Sequence, residues 1–153
     1  MLLTTTLGEK VVSKASAETL GSVDGVVIDA ATHKITALQL GKGRKAKVVA
    51  WGDLTGVGTA AVIVEHDGAL RDPAEGAEQR FAGGDIALIG GLVLSDRGNS
   101  QGTVADVDYD GDTGTITSIH TSHAITIGAE RLRAVGTYAW VIAAGDDELG
   151  GTL

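Results

Sequence analysis

The chain has 153 residues, 43% of them hydrophobic but only 3% aromatic, and it contains no cysteine. Twelve basic and twenty acidic residues give a formal net charge of −8, which favours solubility and opposes non-specific attraction to phosphate backbones. Disulfide and thiol chemistry are excluded, and no apolar run approaches the ~20 residues a membrane-spanning helix needs.

The opening Met1-Leu2-Leu3-Thr4-Thr5-Thr6 has neither a basic stretch nor a sustained apolar one, so no signal peptide is expected and a cytoplasmic location is. Val, Ile and Thr are then abundant, and 23 glycines punctuate short apolar runs, the pattern of strands joined by tight turns. Strands are expected near 9–13, 21–29, 34–40, 46–51 and 59–65, with a turn at Ala30-Ala31-Thr32-His33. Next comes the one helix signal. Asp72 suits an N-cap, Pro73 the first helical position, Glu75 a capping box and Gly83-Gly84 a stop, which predicts a short helix over 73–81. Gly76 inside it weakens that helix. Strands resume near 90–95, 102–110, 115–121, 124–128 and 137–143, with a turn at Gly111-Asp112-Thr113-Gly114. Gly25 in one run and Ala105 in the other interrupt the alternation where a bulge would help a small barrel close.

The two strand runs are copies of each other. Leu20–Asp29 returns as Gln101–Asp110, and Thr32–Leu38 as Thr113–Ile119, both at an offset of 81. Leu7–Ser13 matches Ile89–Ser95 at an offset of 82, and Asp53–Val64 matches Arg131–Ile142 at 78. Four blocks in one order mean a duplicated domain rather than a solenoid unit. The expected organisation is a repeat over 1–68, a connector with a short helix over 69–83, a second repeat over 84–145 and an acidic flexible tail over 146–153. Repeats of roughly 65 residues bury only about 60% of their surface, so they are expected to pack on each other or on a second copy. The fold class is all-β: two similar small antiparallel β-barrels, a closure that removes exposed strand edges.

Three patterns carry candidate chemistry. Asp106, Asp108, Asp110 and Asp112 alternate like the first half of a calcium loop, but position 12 falls on Thr117 rather than a bidentate Glu. In a strand Asp106, Asp108 and Asp110 simply face outward while Val107 and Tyr109 face in. His120 and His123 form the one close histidine pair, yet a strand sends residues three apart to opposite faces, and zinc wants three or four ligands. Lys42, Arg44, Lys45 and Lys47 put four of the twelve basic residues in one hairpin loop. Only Trp51 is near to stack on a base, so direct nucleic-acid binding is not expected. That loop and the histidine hairpin are the candidate partner-binding residues. Tyr138, Trp140 and Ile142 share one strand face and are expected inside a barrel or between the two. No hydroxyl, histidine and acid fall in a recognisable catalytic order, so neither an enzyme nor a cofactor is expected.

Taken together, Leu20, Gly21, Val23, Val26, Ile28 and Asp29, then Ile35 and Leu38, then Leu54 and Val57-Gly58 resemble the PRC-barrel family. The second half repeats the pattern with Gly102, Val104, Asp106, Val107, Tyr109 and Asp110, then Thr113-Gly114, Ile116 and Ile119, and then Leu132 and Val135-Gly136. The resemblance implies a tandem pair of roughly six-stranded barrels used as non-catalytic docking modules. It brings no catalytic residue with it. The function expected is a cytoplasmic scaffold that docks a protein through hairpin loops, chiefly 41–48, 96–101 and 120–124. One alternative, by analogy with family members, is a ribosome-assembly accessory that binds a ribosomal protein. Another is a metal or small-ligand sensor using the acidic ribbon and the histidines. Self-association is a further expectation, and membrane insertion is not.

Overall fold

The computed structural model describes residues 1–145; the acidic tail expected over 146–153 lies outside the described residues. The first half builds β1 (Lys10–Ser13), β2 (Thr19–Asp29), β3 (Lys34–Leu40), β4 (Lys47–Ala50), β5 (Leu54–Val57) and β6 (Val62–Val64). The second builds β7 (Leu92–Ser95), β8 (Ser100–Tyr109), β9 (Ile116–Thr121), β10 (Thr126–Gly128), β11 (Leu132–Val135) and β12 (Trp140–Ile142). Each half is one six-stranded sheet, ordered β4-β3-β2-β1-β6-β5 and β10-β9-β8-β7-β12-β11. The fold is all-β, as expected, with the same topology used twice.

The duplication holds to the level of single residues. Val11 pairs with Val62 in one half, and Val93 with Trp140 in the other, each in the one parallel ladder of its sheet. These two ladders correct the purely antiparallel reading, because β1 and β6 are joined by crossing connections and not by a hairpin. Bulges fall between Val23 and Gly25 and again between Val104 and Asp106. There β2 and β8 stop pairing with their first neighbour and begin pairing with their second. A bulge at this point bends the strand so that one chain segment serves two parts of a curled sheet. The ends of each sheet, β4 with β5 and β10 with β11, are linked by single 3₁₀ turns, Trp51–Asp53 and Ala129–Arg131.

Two strands per molecule more than expected appear, β5 and β11. They are short edge strands with exposed centres, Thr55-Gly56 and Arg133-Ala134, so no buried face marks them in the sequence. The strands expected over 59–65 and 137–143 contract to three residues each. A bend before β12 therefore leaves Tyr138 78% exposed, whereas Trp140 and Ile142 are buried as expected.

The connector helix, α2 (Ala77–Ala82), starts four residues later than expected. Gly76 precedes it at φ +92°, a conformation that glycine alone takes cheaply. Asp72 does not cap the helix but pairs with Lys47. No side chain caps the helix; Glu78 instead ties down the chain ahead of it, its carboxylate accepting the Ala74 N–H at 2.9 Å and an N–H from each terminal Arg71 nitrogen at 2.6 and 2.9 Å. A one-turn helix, α1 (Leu3–Thr6), has no sequence signal at all.

The halves share one continuous core, running from Leu3, Val11 and Leu38 through Phe81 and Ile86 to Val107, Ile119 and Trp140. At one end of the interface the two turns meet. The Ile35 N–H donates to the Gly114 carbonyl at 2.8 Å and the Ile116 N–H to the His33 carbonyl at 2.7 Å. Both pairs are related by the 81-residue offset, so a local twofold axis passes between Lys34 and Thr115. Elsewhere each half lends the other an arm. Residues 1–6 dock on β8 through the Tyr109 N–H, which donates to the Met1 carbonyl at 2.8 Å, and α2 packs on β2. The repeat boundaries read from the sequence thus divide a chain whose halves interlock. Among the described residues no helix is long and apolar enough to cross a membrane.

Candidate functional site

The basic loop is the connection between β3 and β4. Gly41 (φ +76°) and Gly43 (φ +66°) turn the chain, and Gly43–Lys45 forms a 3₁₀ turn. The Gly41 N–H donates to the Asp24 carboxylate at 2.6 Å, and Ala46 is buried, so the loop is pinned at both ends. Its cations are left outside: Lys42, Arg44 and Lys45 are exposed and make no ion pair with any described residue. Lys47 leaves the group, since it belongs to β4 and is paired with Asp72. Arg71 is likewise committed. It bridges to Val48 through the backbone, and its guanidinium holds the Glu78 carboxyl below the usual carboxylate range.

The histidine hairpin occupies the corresponding place in the second half, between β9 and β10. His120 Nδ1 lies 3.2 Å from Thr126 Oγ1 and Nε2 lies 3.5 Å from Ser118 Oγ, so its ring is held along the sheet. The His123 ring lies over the backbone at Gly102, where any side chain would meet it. The two rings serve different neighbours.

The acidic ribbon is structural at three of its four positions. Asp106 accepts the Thr4 N–H at 3.0 Å, the Thr4 hydroxyl at 2.6 Å and the Val107 N–H at 2.9 Å. Burial pushes the Asp106 carboxyl upward, but these bonds and the His120 charge outweigh it and leave the group below its ordinary range. Asp108 receives the Met1 ammonium at 3.2 Å, and Asp110 caps its own turn through the Asp112 N–H at 2.8 Å. Among the described residues no group of three or more histidine or acidic side chains is gathered to hold a metal ion. Asp106 and Asp108 thus hold the first arm, and Asp110 holds its own turn.

A feature the sequence reading missed lies beside the basic loop. A groove of about 350 Å³ runs between the β2–β3 ladder and the chain leaving α2. Its walls are Leu7, Phe81, Ile86, Leu88 and Ile89, with Asp24, Gln39 and Lys42 supplying polar atoms. Leu7 and Ile89 are equivalent residues of the two repeats, so the matched Leu7-Gly8 and Ile89-Gly90 blocks were the available signal.

Residues 1–74 match the PRC-barrel domain family. No curated protein matches the chain. The match covers the first sheet with its flanking arm, and the second half builds the same strand order and ladder registers.

Proposed function

We propose that this protein is a non-catalytic docking module that seizes an acidic segment of a partner protein with the loop Lys42–Lys45. The observation that supports this reading is three exposed cations without an ion-pair partner among the described residues, on a short turn anchored by Asp24 and Ala46. They stand on a molecule whose net charge is −8. A rigid scaffold holding a charged loop lowers the ordering cost of binding, and charge complementarity sets encounter rate and register. The histidine hairpin, at the equivalent place in the other half, presents a different surface, so the duplication yields one docking face of this charge.

The test is affinity capture from the native host with wild-type protein and with a K42E/R44E/K45E variant, both treated with RNase. A partner retained by the wild type and lost by the variant is expected. The purified pair should bind at least tenfold more weakly at high salt, as exposed charge pairs do. A ribosomal protein held equally by both would move the site to the acidic surface and refute the loop assignment.

A further inference from the structure

The groove beside Lys42 has the features of a small-molecule site, and we infer that it binds a free aliphatic α-amino acid of the leucine type. At about 350 Å³ it falls in the range of about 300–1,000 Å³ typical of such sites. Its walls are aliphatic and aromatic, with few polar groups. One of these is an unused acceptor. Gln39 is only 5% exposed, and its Nε2 donates to the Gly41 carbonyl at 2.8 Å and the Ala82 carbonyl at 3.3 Å. Two carbonyl acceptors fix which end of the amide is nitrogen. Gln39 Oε1 therefore lies in the groove wall over Gly25, where a Cβ would stand 2.6 Å from it, and it accepts no hydrogen bond from the described residues. An acceptor in the groove wall with no donor from the protein is free to take a ligand N–H.

The rim specifies the rest. Asp24 and Lys42 stand at the same groove, one anionic and one cationic, and both are exposed. A ligand ammonium satisfies Gln39 Oε1 and Asp24, a carboxylate satisfies Lys42, and a branched aliphatic side chain fits against Phe81, Ile86 and Leu88. An amine alone leaves Lys42 repelling it, and a carboxylate alone leaves Gln39 without a donor. At the equivalent place in the second half Asp106 replaces Gly25 and its carboxylate accepts from Thr4, so the small residue that opens the groove wall is special to the first repeat.

The experiment is an NMR titration of the full chain with L-leucine, isovalerate and isoamylamine. Saturable shifts confined to the groove are expected for leucine, with a dissociation constant on the order of 1 mM. The two half-ligands should bind at least tenfold more weakly. Lys42→Glu lies on the surface and should weaken leucine binding about tenfold, whereas R44E/K45E, which impairs the proposed protein docking, should leave it unchanged. Absence of saturable shifts at ~20 mM leucine, about twenty times that constant, refutes the assignment. So does equal binding by the Lys42→Glu variant, or response to a leucine-bearing peptide and not to the free amino acid.

Discussion

Glu9 carries its carboxyl into an interior that offers it nothing. Neither oxygen has a hydrogen-bond partner, and both are sealed from solvent. In the second repeat the equivalent residue is Gly91, beside which the Trp140 indole donates to the Ala87 carbonyl at 2.8 Å. Burial raises the Glu9 pKa, and the nearby Tyr109, itself raised first by burial, feels the Glu9 charge as a further upward push. The sign follows. The unfolded chain loses the Glu9 proton near its ordinary value of 4.5, but the folded chain holds it longer. The stability that neutral Glu9 permits is thus complete below that value and declines as pH rises through the folded pKa. Asp106 and Glu78, both held low, contribute in the opposite direction, with stability present at neutral pH and lost in acid. Glu9→Gln should therefore be more stable than wild type at pH 7 by about 1–2 kcal/mol, because the amide, though equally without a partner, carries no charge for burial to penalise. The difference should shrink toward zero near pH 4. Urea unfolding at both pH values measures it, and a variant that is weaker at pH 7 would mean that Glu9 has a partner.

At the scale of elements, the contact between the two turns decides how the halves are held. Gly114 sits at φ +78°, and a Cβ there would stand 2.8 Å from the Ile35 carbonyl oxygen and 2.9 Å from the Trp51 ring. Its equivalent in the first repeat is His33, a non-glycine residue at φ +57°. Opposite outcomes are expected. Gly114→Val should cost about 3 kcal/mol or more, because left-handed strain adds to a backbone clash. His33→Gly should gain about 0.5 kcal/mol, the relief of left-handed strain less the entropy glycine loses on folding. Thermal melts of the two variants check both signs. The turns themselves were legible, since each separates two runs of alternating β-branched residues. The strands with a buried face were legible for the same reason. What the sequence hid is what tertiary contacts hold. α1 is a run of threonines that are poor helix formers, kept in place by Asp106 from the other half. Edge strands β5 and β11 bury too little to show a period. Asp72, Pro73 and Glu75 form a sound helix start locally, but Lys47 takes Asp72 and Arg71 takes Glu78, so the helix begins after Gly76. The charged loop was visible as charge, whereas the groove beside it depends on how Gln39, Gly25 and the second arm come together in space.

At the scale of the molecule, the question is whether duplication made two domains or one. The arms answer it physically. Leu3 is fully buried, although its segment belongs to the first repeat and docks on the second. Phe81 and Ile86 leave the connector to join the same core. Trp51 of the first half meets Tyr109 of the second edge to face, with ring centroids 5.9 Å apart. Each half alone would expose these surfaces, and a domain of that size has little stability to spare. The chain should therefore unfold in one cooperative step. Its two tryptophans make this measurable, because Trp51 reports on the interface from the first half and Trp140 on the core of the second. In Trp51→Phe the emission follows Trp140 alone. Its urea midpoint should coincide with that of far-UV circular dichroism on the same variant, and the wild-type emission should follow one sigmoid. Separated midpoints would mean that the second sheet survives loss of the first. The arms would then be surface decoration on two independent barrels, and the basic loop would rest on the first sheet alone. Its groove, walled in part by Ile86, Leu88 and Ile89, would be lost with the contact between the halves. Coincident midpoints would mean that the groove, walled by residues from both repeats, exists only while the whole molecule is folded.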